Sequence, residues 1–133
     1  MEDDYYFSDS KVYLSLNDIR KFQLAKSAIR SGIDTLMNYA NISPNDIDDF
    51  YIAGGFGSFL NIESAVLVGL IPEELKDKAV SIGNGAGMGA SMMLLNKEFI
   101  GMSEKIADSM ETVMLSDSSY FMDKYIENMM FGD

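Results

Sequence analysis

The sequence predicts an α/β domain in which a mainly parallel sheet is flanked by helices. Short β-type runs alternate with helical patterns along the 133 residues, an order that is typical of parallel sheets. Two of these runs end in glycines that lead on to a helix, the first of them through a loop. The length is that of one domain, and no linker or internal repeat divides it.

The first helix is predicted from a long amphipathic pattern. "KVYLS" (Lys11–Ser15) is a strand candidate, after which Ser15 with Asp18, or Asn17 alone, can cap a helix. Apolar residues then recur at helical spacing over about six turns. They are Ile19, Phe22, Ala25, Ile29, Ile33, Leu36, Met37 and Ala40. The charged residues Arg20, Lys21, Lys26 and Arg30 fall outside this stripe, so we expect them to face solvent.

Two further strand-to-helix units follow. Ser43 and Pro44 suit the cap and first position of a single helical turn. "DFYIAG" then reads as a strand, and Asn61 can cap the helix "IESAVLVG". "KAVSIG" is the next strand, and the small residues of "NGAGMGASMMLLN" indicate a helix packed closely on its neighbours.

The C-terminal third is predicted as helix, strand and helix. "SEKIADSM" suits a short capped helix, and "ETVML" suits a strand. "SDSSYFMDKYIENMMF" suits a terminal helix. Its expected buried side carries Phe121, Met122, Tyr125, Ile126 and Met129.

Composition excludes several classes of function. The net charge of -11 disfavours binding to nucleic acid or to an anionic membrane surface. Without cysteine or histidine, the chain has no thiolate nucleophile, no iron–sulfur cluster and no cysteine–histidine zinc site. No signal peptide or membrane-spanning run is apparent, so a cytoplasmic location is expected. Residues 1–10 are acidic and are expected to be loose, which leaves 11–133 as the folded domain.

The first glycine segment, "IAGGFG", is the strongest indication of a ligand. Gly54 and Gly55 end a predicted strand, and ligands of parallel α/β sheets bind beyond the carboxyl ends of strands. Glycines allow a ring or sugar to touch the main chain, and they also permit a positive φ. A simple left-handed turn therefore remains the alternative explanation.

The second glycine segment, "GNGAGMGA", repeats the pattern of strand, glycines and helix. Gly85, Gly87 and Ala90 satisfy the dinucleotide fingerprint, but Glu104, the acidic residue at the required distance, falls at a predicted helix start. Close packing is therefore the expected role of these glycines, and Asn84 is the polar residue able to reach a ligand. The P-loop pattern is absent, and the aspartates near residue 48 lack calcium-loop spacing.

These segments resemble the C-terminal region of the reductive activators of corrinoid proteins. The resemblance lies in "YIAGGFGSFLNIESAVLVGLIP" and "SIGNGAGMGASMMLLN", together with the preceding "LNDIRKFQLAKSAIRSGI" and the following "TVMLSDSSYFMDKYIENMMF". It extends from about Val12 to Phe131. The family consists of ATP-dependent iron–sulfur proteins that re-reduce inactive corrinoid methyl carriers. Its C-terminal region belongs to the superfamily of acetate and sugar kinases, heat-shock chaperones and actin.

The resemblance implies half of an actin-like, ribonuclease-H-like ATPase lobe. By the family's adenosine motif, Gly54, Gly55 and Phe56 would lie against the nucleoside, with Gly57 shaping the loop. Asn84 and Gly85 belong to the second glycine segment, which packs beside that turn. The phosphate hairpin and the acidic metal ligand of the superfamily match nothing here, so ATP would be shared with a missing half that also holds Mg²⁺.

Two functional hypotheses follow from the resemblance. In the first, the chain is the adenosine-binding lobe of an ATP-dependent corrinoid activator and is not catalytic alone; we assign no catalytic residue. In the second, it is a non-catalytic module that docks a corrinoid protein or methyltransferase. A kinase of the same superfamily would need a substrate site that these residues do not offer. A lobe with an unpaired sheet edge is also expected to self-associate.

Overall fold

Two small sheets and six helices make up the part of the chain, residues 5–7 and 11–131, that the computed structural model describes. The strands are β1 (Tyr5–Tyr6), β2 (Tyr13–Leu14), β3 (Phe50–Ala53) and β4 (Ala79–Gly83). The helices are α1 (Leu16–Ala40), α2 (Gly54–Phe59), α3 (Ile62–Leu67), α4 (Gly85–Leu95), α5 (Glu98–Ser109) and α6 (Ser119–Glu127). Short 3₁₀ turns span Pro44–Asp46, Glu73–Lys78 and Leu115–Asp117.

The start of α1 confirms the predicted cap. The Ser15 hydroxyl accepts from the backbone N–H of Asp18 at 3.2 Å, and the Asp18 carboxylate accepts from the Ser15 hydroxyl at 2.7 Å. It also accepts from the Ser15 backbone N–H, which completes a capping box. These hydrogen bonds from Ser15 hold the pKa of Asp18 below its ordinary value of 3.8.

The buried face of α1 differs from the predicted apolar stripe. Phe22, Ile29 and Leu36, expected to be buried, are exposed. The buried positions are instead Lys26, Ser27, Ser31, Gly32 and Thr35. The interpretation of Lys26 as a solvent-facing charge was wrong, because that residue is only 2% exposed. Helix α6 lies on this polar side, and it meets α1 through hydrogen bonds.

Lys26 is the centre of that contact. Its ammonium donates to the backbone oxygen of Met130 and lies 4.9 Å from the centroid of the Phe131 ring. At the next residue of α1, the Ser27 hydroxyl donates to the carbonyl of Tyr125. Burial, with a contribution from Arg30, lowers the pKa of Lys26. These bonds to main-chain oxygens explain why a polar helix face is buried here.

The sheets are smaller than the sequence suggested. The predicted strand at Lys11–Ser15 is present as β2, but it pairs antiparallel with β1 and does not join the parallel sheet. Of residues 1–10, which were expected to be loose, the structure describes only residues 5–7. For the remaining residues, looseness stays a prediction, since they lie outside the described ranges.

The parallel sheet consists of β3 and β4 in the described part of the chain. Phe50 pairs with Ala79 and Ile52 with Ser81, and a register irregularity after Ile52 brings Ala53 opposite Gly83. The two strands therefore end side by side, and each is followed directly by a helix. This confirms the predicted α/β class and brings the two glycine segments to the same end of the sheet.

The core lies beneath this sheet. Ala65, Ile71 and Leu75 are fully buried and form its centre. Partly buried apolar residues surround them. They are Ile33, Ile47, Phe50, Ile52, Leu60, Ile62, Val66 and Leu70. The core thus joins α1, β3 and α3, the elements that hold the first glycine segment in place.

The C-terminal third departs from prediction in three places. The segment "ETVML" is not a strand; residues 111–114 have no regular secondary structure, and Leu115 begins the Leu115–Asp117 turn. Helix α5 begins at Glu98, several residues before the predicted start. On α6, Met122 and Ile126 are exposed, although they were expected to be buried. Within the described residues, no helix is long and apolar enough to cross a membrane.

Candidate functional site: two glycine segments at one sheet end

The first glycine segment turns directly into helix α2. Gly54 has a φ of +90°, which favours glycine, and the backbone becomes helical from that residue. The prediction of a glycine loop was therefore wrong in its geometry, because these glycines form the first turn of a helix. A simple left-handed turn also requires a positive φ, so the φ of Gly54 does not by itself indicate a ligand site.

Gly54 and Gly55 face open space. A β-carbon added to either residue would meet no atom within 4 Å outside its immediate surroundings. Gly57 differs, since its added β-carbon would come within 2.7 Å of the carbonyl oxygen of Ile52. Gly57 therefore permits close packing of α2 on β3, while Gly54 and Gly55 leave main chain accessible. Phe56 lies in α2, and its side chain is outside the described part of the structure.

The second glycine segment lies beside the first. An added β-carbon on Gly85 would approach the Cβ of Ala53 to 3.7 Å, and one on Gly83 would approach the hydroxyl oxygen of Ser58 to 3.6 Å. The Ser81 hydroxyl donates to the carbonyl oxygen of Gly57. The strand ends and α2 are thus held together as one unit.

Asn84 caps helix α4. Its side-chain oxygen accepts from the backbone N–H of Gly87 at 2.9 Å. Gly87 provides the room for this cap, because an added β-carbon there would lie 2.6 Å from the Asn84 amide nitrogen. The side chain of Asn84 is exposed at the sheet end. Its oxygen is therefore engaged in capping, and its amide N–H groups are the part that can meet a ligand.

A groove adjoins Gly55 on the side of α1 and α3. It has a volume of about 730 Å³ and is mainly apolar. Its lining comprises Phe22, Gly55, Phe59, Leu60, Asn61, Ser64, Ala65, Val68 and Leu70. Sequence reasoning missed this groove, since Asn61 was interpreted only as a helix cap and Phe22 as a core residue.

The site offers little that would bind phosphate or metal. No residue lining the groove is charged. Among the described residues, no group of three or more acidic, histidine or cysteine side chains is arranged to hold a metal ion. The groove therefore offers a ligand uncharged polar groups and apolar surface, and Gly55 adds open main chain.

The comparisons with known proteins agree with this fold. The fold and the two glycine segments define the class, a domain of the ASKHA type. The chain belongs to the family described as the C-terminal domain of RACo, the ASKHA domain, which it matches over residues 2–133.

Two relatives show how much of a longer protein this domain represents. The chain is 36% identical over 122 residues to the corrinoid activation enzyme RamQ of Eubacterium limosum, covering 92% of this chain and 21% of that protein. It also matches the solved structure of a reductive activator for corrinoid, iron–sulfur protein, with a TM-score of 0.81 and 32% identity. That match covers 90% of this chain and 19% of the other. The chain thus spans about a fifth of the length of these relatives.

Proposed function

We propose that this chain is the adenosine-binding half of an ATP-dependent activator of corrinoid proteins. The observation that carries the proposal is the open main chain at Gly54 and Gly55, beside the second glycine segment at the end of two parallel strands. Family membership supports a nucleotide as the ligand. The assigned contacts are Gly54, Gly55 and Phe56 on one strand end and Asn84 and Gly85 on the other, and Gly57 shapes the turn that presents the first three.

In this proposal, the rest of the activator supplies the phosphate contacts, the metal ion and the iron–sulfur cluster. No charged residue lines the groove beside Gly55, and the described residues provide no cluster of metal ligands. Mg²⁺ and the phosphate contacts would come from the other half of the cleft, and the iron–sulfur cluster from a separate domain. Closure of the two halves on ATP would couple hydrolysis to reduction of the corrinoid. We place this activity in the cytoplasm.

The test is whether a side chain at Gly55 blocks nucleotide. We expect the full chain to bind ADP in ligand-detected NMR at millimolar concentration. Gly55→Val should weaken binding at least about tenfold, because the valine fills the space assigned to the nucleoside. Its backbone φ is not positive and its surroundings are open, so the variant should fold.

Gly101→Val is the matched control for that test. Gly101 also lies in a helix, and an added β-carbon there meets nothing within 4 Å. This variant should keep both the circular dichroism spectrum and the ADP affinity of the original chain. Equal affinities in the two valine variants would overturn the proposal.

An interaction module remains the second candidate, and one observation favours it. Exposed apolar residues cover the hairpin of α4 and α5, in which no residue is buried. They include Met88, Met92, Leu95, Met102 and Ile106. The chain exposes 10193 Å² in total, whereas a compact monomer of 14.8 kDa exposes about 7000 Å². A corrinoid protein or a methyltransferase is the partner class in this second proposal.

The sheet of β3 and β4 also offers a surface for self-association of the isolated chain. Within the described residues, β3 and β4 pair only with each other, and Tyr51 and Val80 on them are exposed. Sedimentation velocity should therefore show a mass that rises with protein concentration. A monomer mass at every concentration would count against self-association.

A further inference from the structure

A second apolar pocket lies at the end of the sheet opposite to the glycine segments. It has a volume of about 440 Å³, and α1, the segment that leads into β3, and Glu111 and Val113 contribute to its lining. Leu75 of the core and Phe50, the first residue of β3, also line it. The glycine segments follow the other ends of β3 and β4, so this pocket is separate from the proposed nucleotide half-site.

The mouth of this pocket is apolar and contains one carboxylate. Leu36 and Ile42 line the pocket and are exposed, so their side chains offer apolar surface to a partner. Among the described residues that line the pocket, Glu111 alone carries a charge. The hydroxyl of Tyr39, another lining residue, donates to the Glu111 carboxylate at 3.2 Å. A ligand here would therefore meet apolar surface beside one negative charge that a hydrogen bond holds in place.

The surroundings of the pocket are also negative. The neighbouring turns, residues 44–49 and 73–78, lie against each other and contain six acidic residues and two lysines. One of these lysines donates to the carbonyl oxygen of Pro44, and the other lies 3.7 Å from the carboxylate of Glu63. Helix α1 ends at Ala40, which lines the pocket, and its last turn has no basic residue to balance the partial negative charge of the helix end.

We propose that this pocket docks a partner protein through a segment that presents one bulky apolar side chain flanked by lysine or arginine. The apolar side chain fills the pocket against Phe50 and Leu75, and its burial provides the affinity. The flanking cations lie near Glu111 and the end of α1, where the negative surroundings favour a basic partner over an acidic one. This docking goes beyond nucleotide binding and does not depend on it.

The position and charge of the pocket favour a separate protein as the occupant. In the proposed function, the other half of the ATP cleft faces the glycine segments, so closing the cleft leaves the opposite sheet end open. A second copy of this chain suits the pocket less well, because each copy has a net charge of -11 and the copies repel each other. A basic segment of another protein has the complementary charge.

Three capped pentapeptides test the two parts of this recognition. The probe is acetyl-Lys-Lys-Phe-Lys-Lys-amide, titrated to millimolar concentration into the full chain and followed by the NMR shifts of Leu36, Ile42 and Val113. Replacing its phenylalanine by alanine should weaken binding at least about tenfold, because the anchor is lost. Replacing its four lysines by glutamates should remove detectable binding at the same concentrations.

Leu36→Gln tests whether the peptide occupies this pocket. Leu36 is 50% exposed, so the variant should fold while a polar group replaces part of the apolar mouth. Binding of the basic phenylalanine peptide should weaken at least about fivefold. Leu24→Gln is the matched control, since Leu24 lies on the same helix, is 46% exposed and does not line the pocket. That variant should bind the peptide as the original chain does.

Glu111→Gln tests the charge. The glutamine oxygen can still accept from the Tyr39 hydroxyl, so the shape of the mouth is kept while the negative charge is removed. Binding should weaken about two- to fivefold at low salt, the usual range for an exposed ion pair. Its dependence on salt concentration should also decrease, because one of the screened interactions is gone.

The outcomes decide between the proposed partner and other occupants. Absence of binding by the basic phenylalanine peptide, or equal binding by the alanine or glutamate peptide, would overturn the proposal. Equal effects of Leu36→Gln and Leu24→Gln would also overturn it. If sedimentation velocity shows self-association that Leu36→Gln abolishes, the occupant is a second copy and the proposed partner is wrong. None of these measurements uses a nucleotide, so the proposed function is tested independently.

Discussion

Leu75→Ala is expected to lower the free energy of unfolding by about 2–5 kcal/mol, the usual cost of truncating a buried leucine. Leu75 is fully buried at the centre of the core, with Ala65 and Ile71 beside it. The variant loses buried apolar area and leaves a cavity that the short 3₁₀ segment around it can fill only in part. Denaturant unfolding followed by circular dichroism measures the change.

Leu67→Ala provides the comparison for that prediction. Leu67 lies on α3 and is 81% exposed, so the same substitution removes little buried surface there. Its unfolding midpoint should stay close to that of the original chain. Similar losses in the two variants would mean that the core is centred elsewhere.

Gly57→Ala is expected to destabilise the chain by about 1–3 kcal/mol, the typical cost of overpacking. The new β-carbon would lie 2.7 Å from the carbonyl oxygen of Ile52 and 3.0 Å from its carbonyl carbon. Both atoms belong to the main chain of β3, so relief requires α2 to move away from the strand. That movement would also displace the glycine turn and weaken nucleotide binding.

Gly55→Ala is the control within the same helix. Its added methyl group meets nothing within 4 Å, and alanine favours a helix over glycine by up to about 1 kcal/mol. The unfolding midpoint of this variant should be unchanged or higher. A destabilised Gly55→Ala variant, or a Gly57→Ala variant of normal stability, would contradict the described packing of α2 on β3.

The sequence correctly predicted features that depend on one residue or a short segment, such as helix caps and strand positions. The predicted caps Ser15 and Asn61 each begin a helix, as their residue types suggest. The strands before both glycine segments lie where their β-type residues are. The proximity of the two glycine segments was implied by the family resemblance, and the structure has them at one sheet end.

Features that depend on distant neighbours were less predictable. The apolar stripe of α1 showed a helix, but it could not show that α6 would pack on the opposite, polar side through main-chain acceptors. The residues of "ETVML" favour a strand, yet a strand also needs a neighbour to pair with, and the described residues provide none. Likewise, the glycines indicated a close approach, while the groove between Phe22 and Asn61 depends on how α1 and α3 pack.

The most direct test of the central claim is to follow backbone amide chemical shifts while the full chain is titrated with ADP. If this sheet end binds the adenosine, the amides of Gly54, Gly55 and Gly57 should shift together with those of Asn84 and Gly85. The amide of Gly101 should stay in place and serve as the internal reference. Saturable shifts that leave both glycine segments in place, or no shifts at all at millimolar ADP, would contradict the assignment of this sheet end as an adenosine half-site.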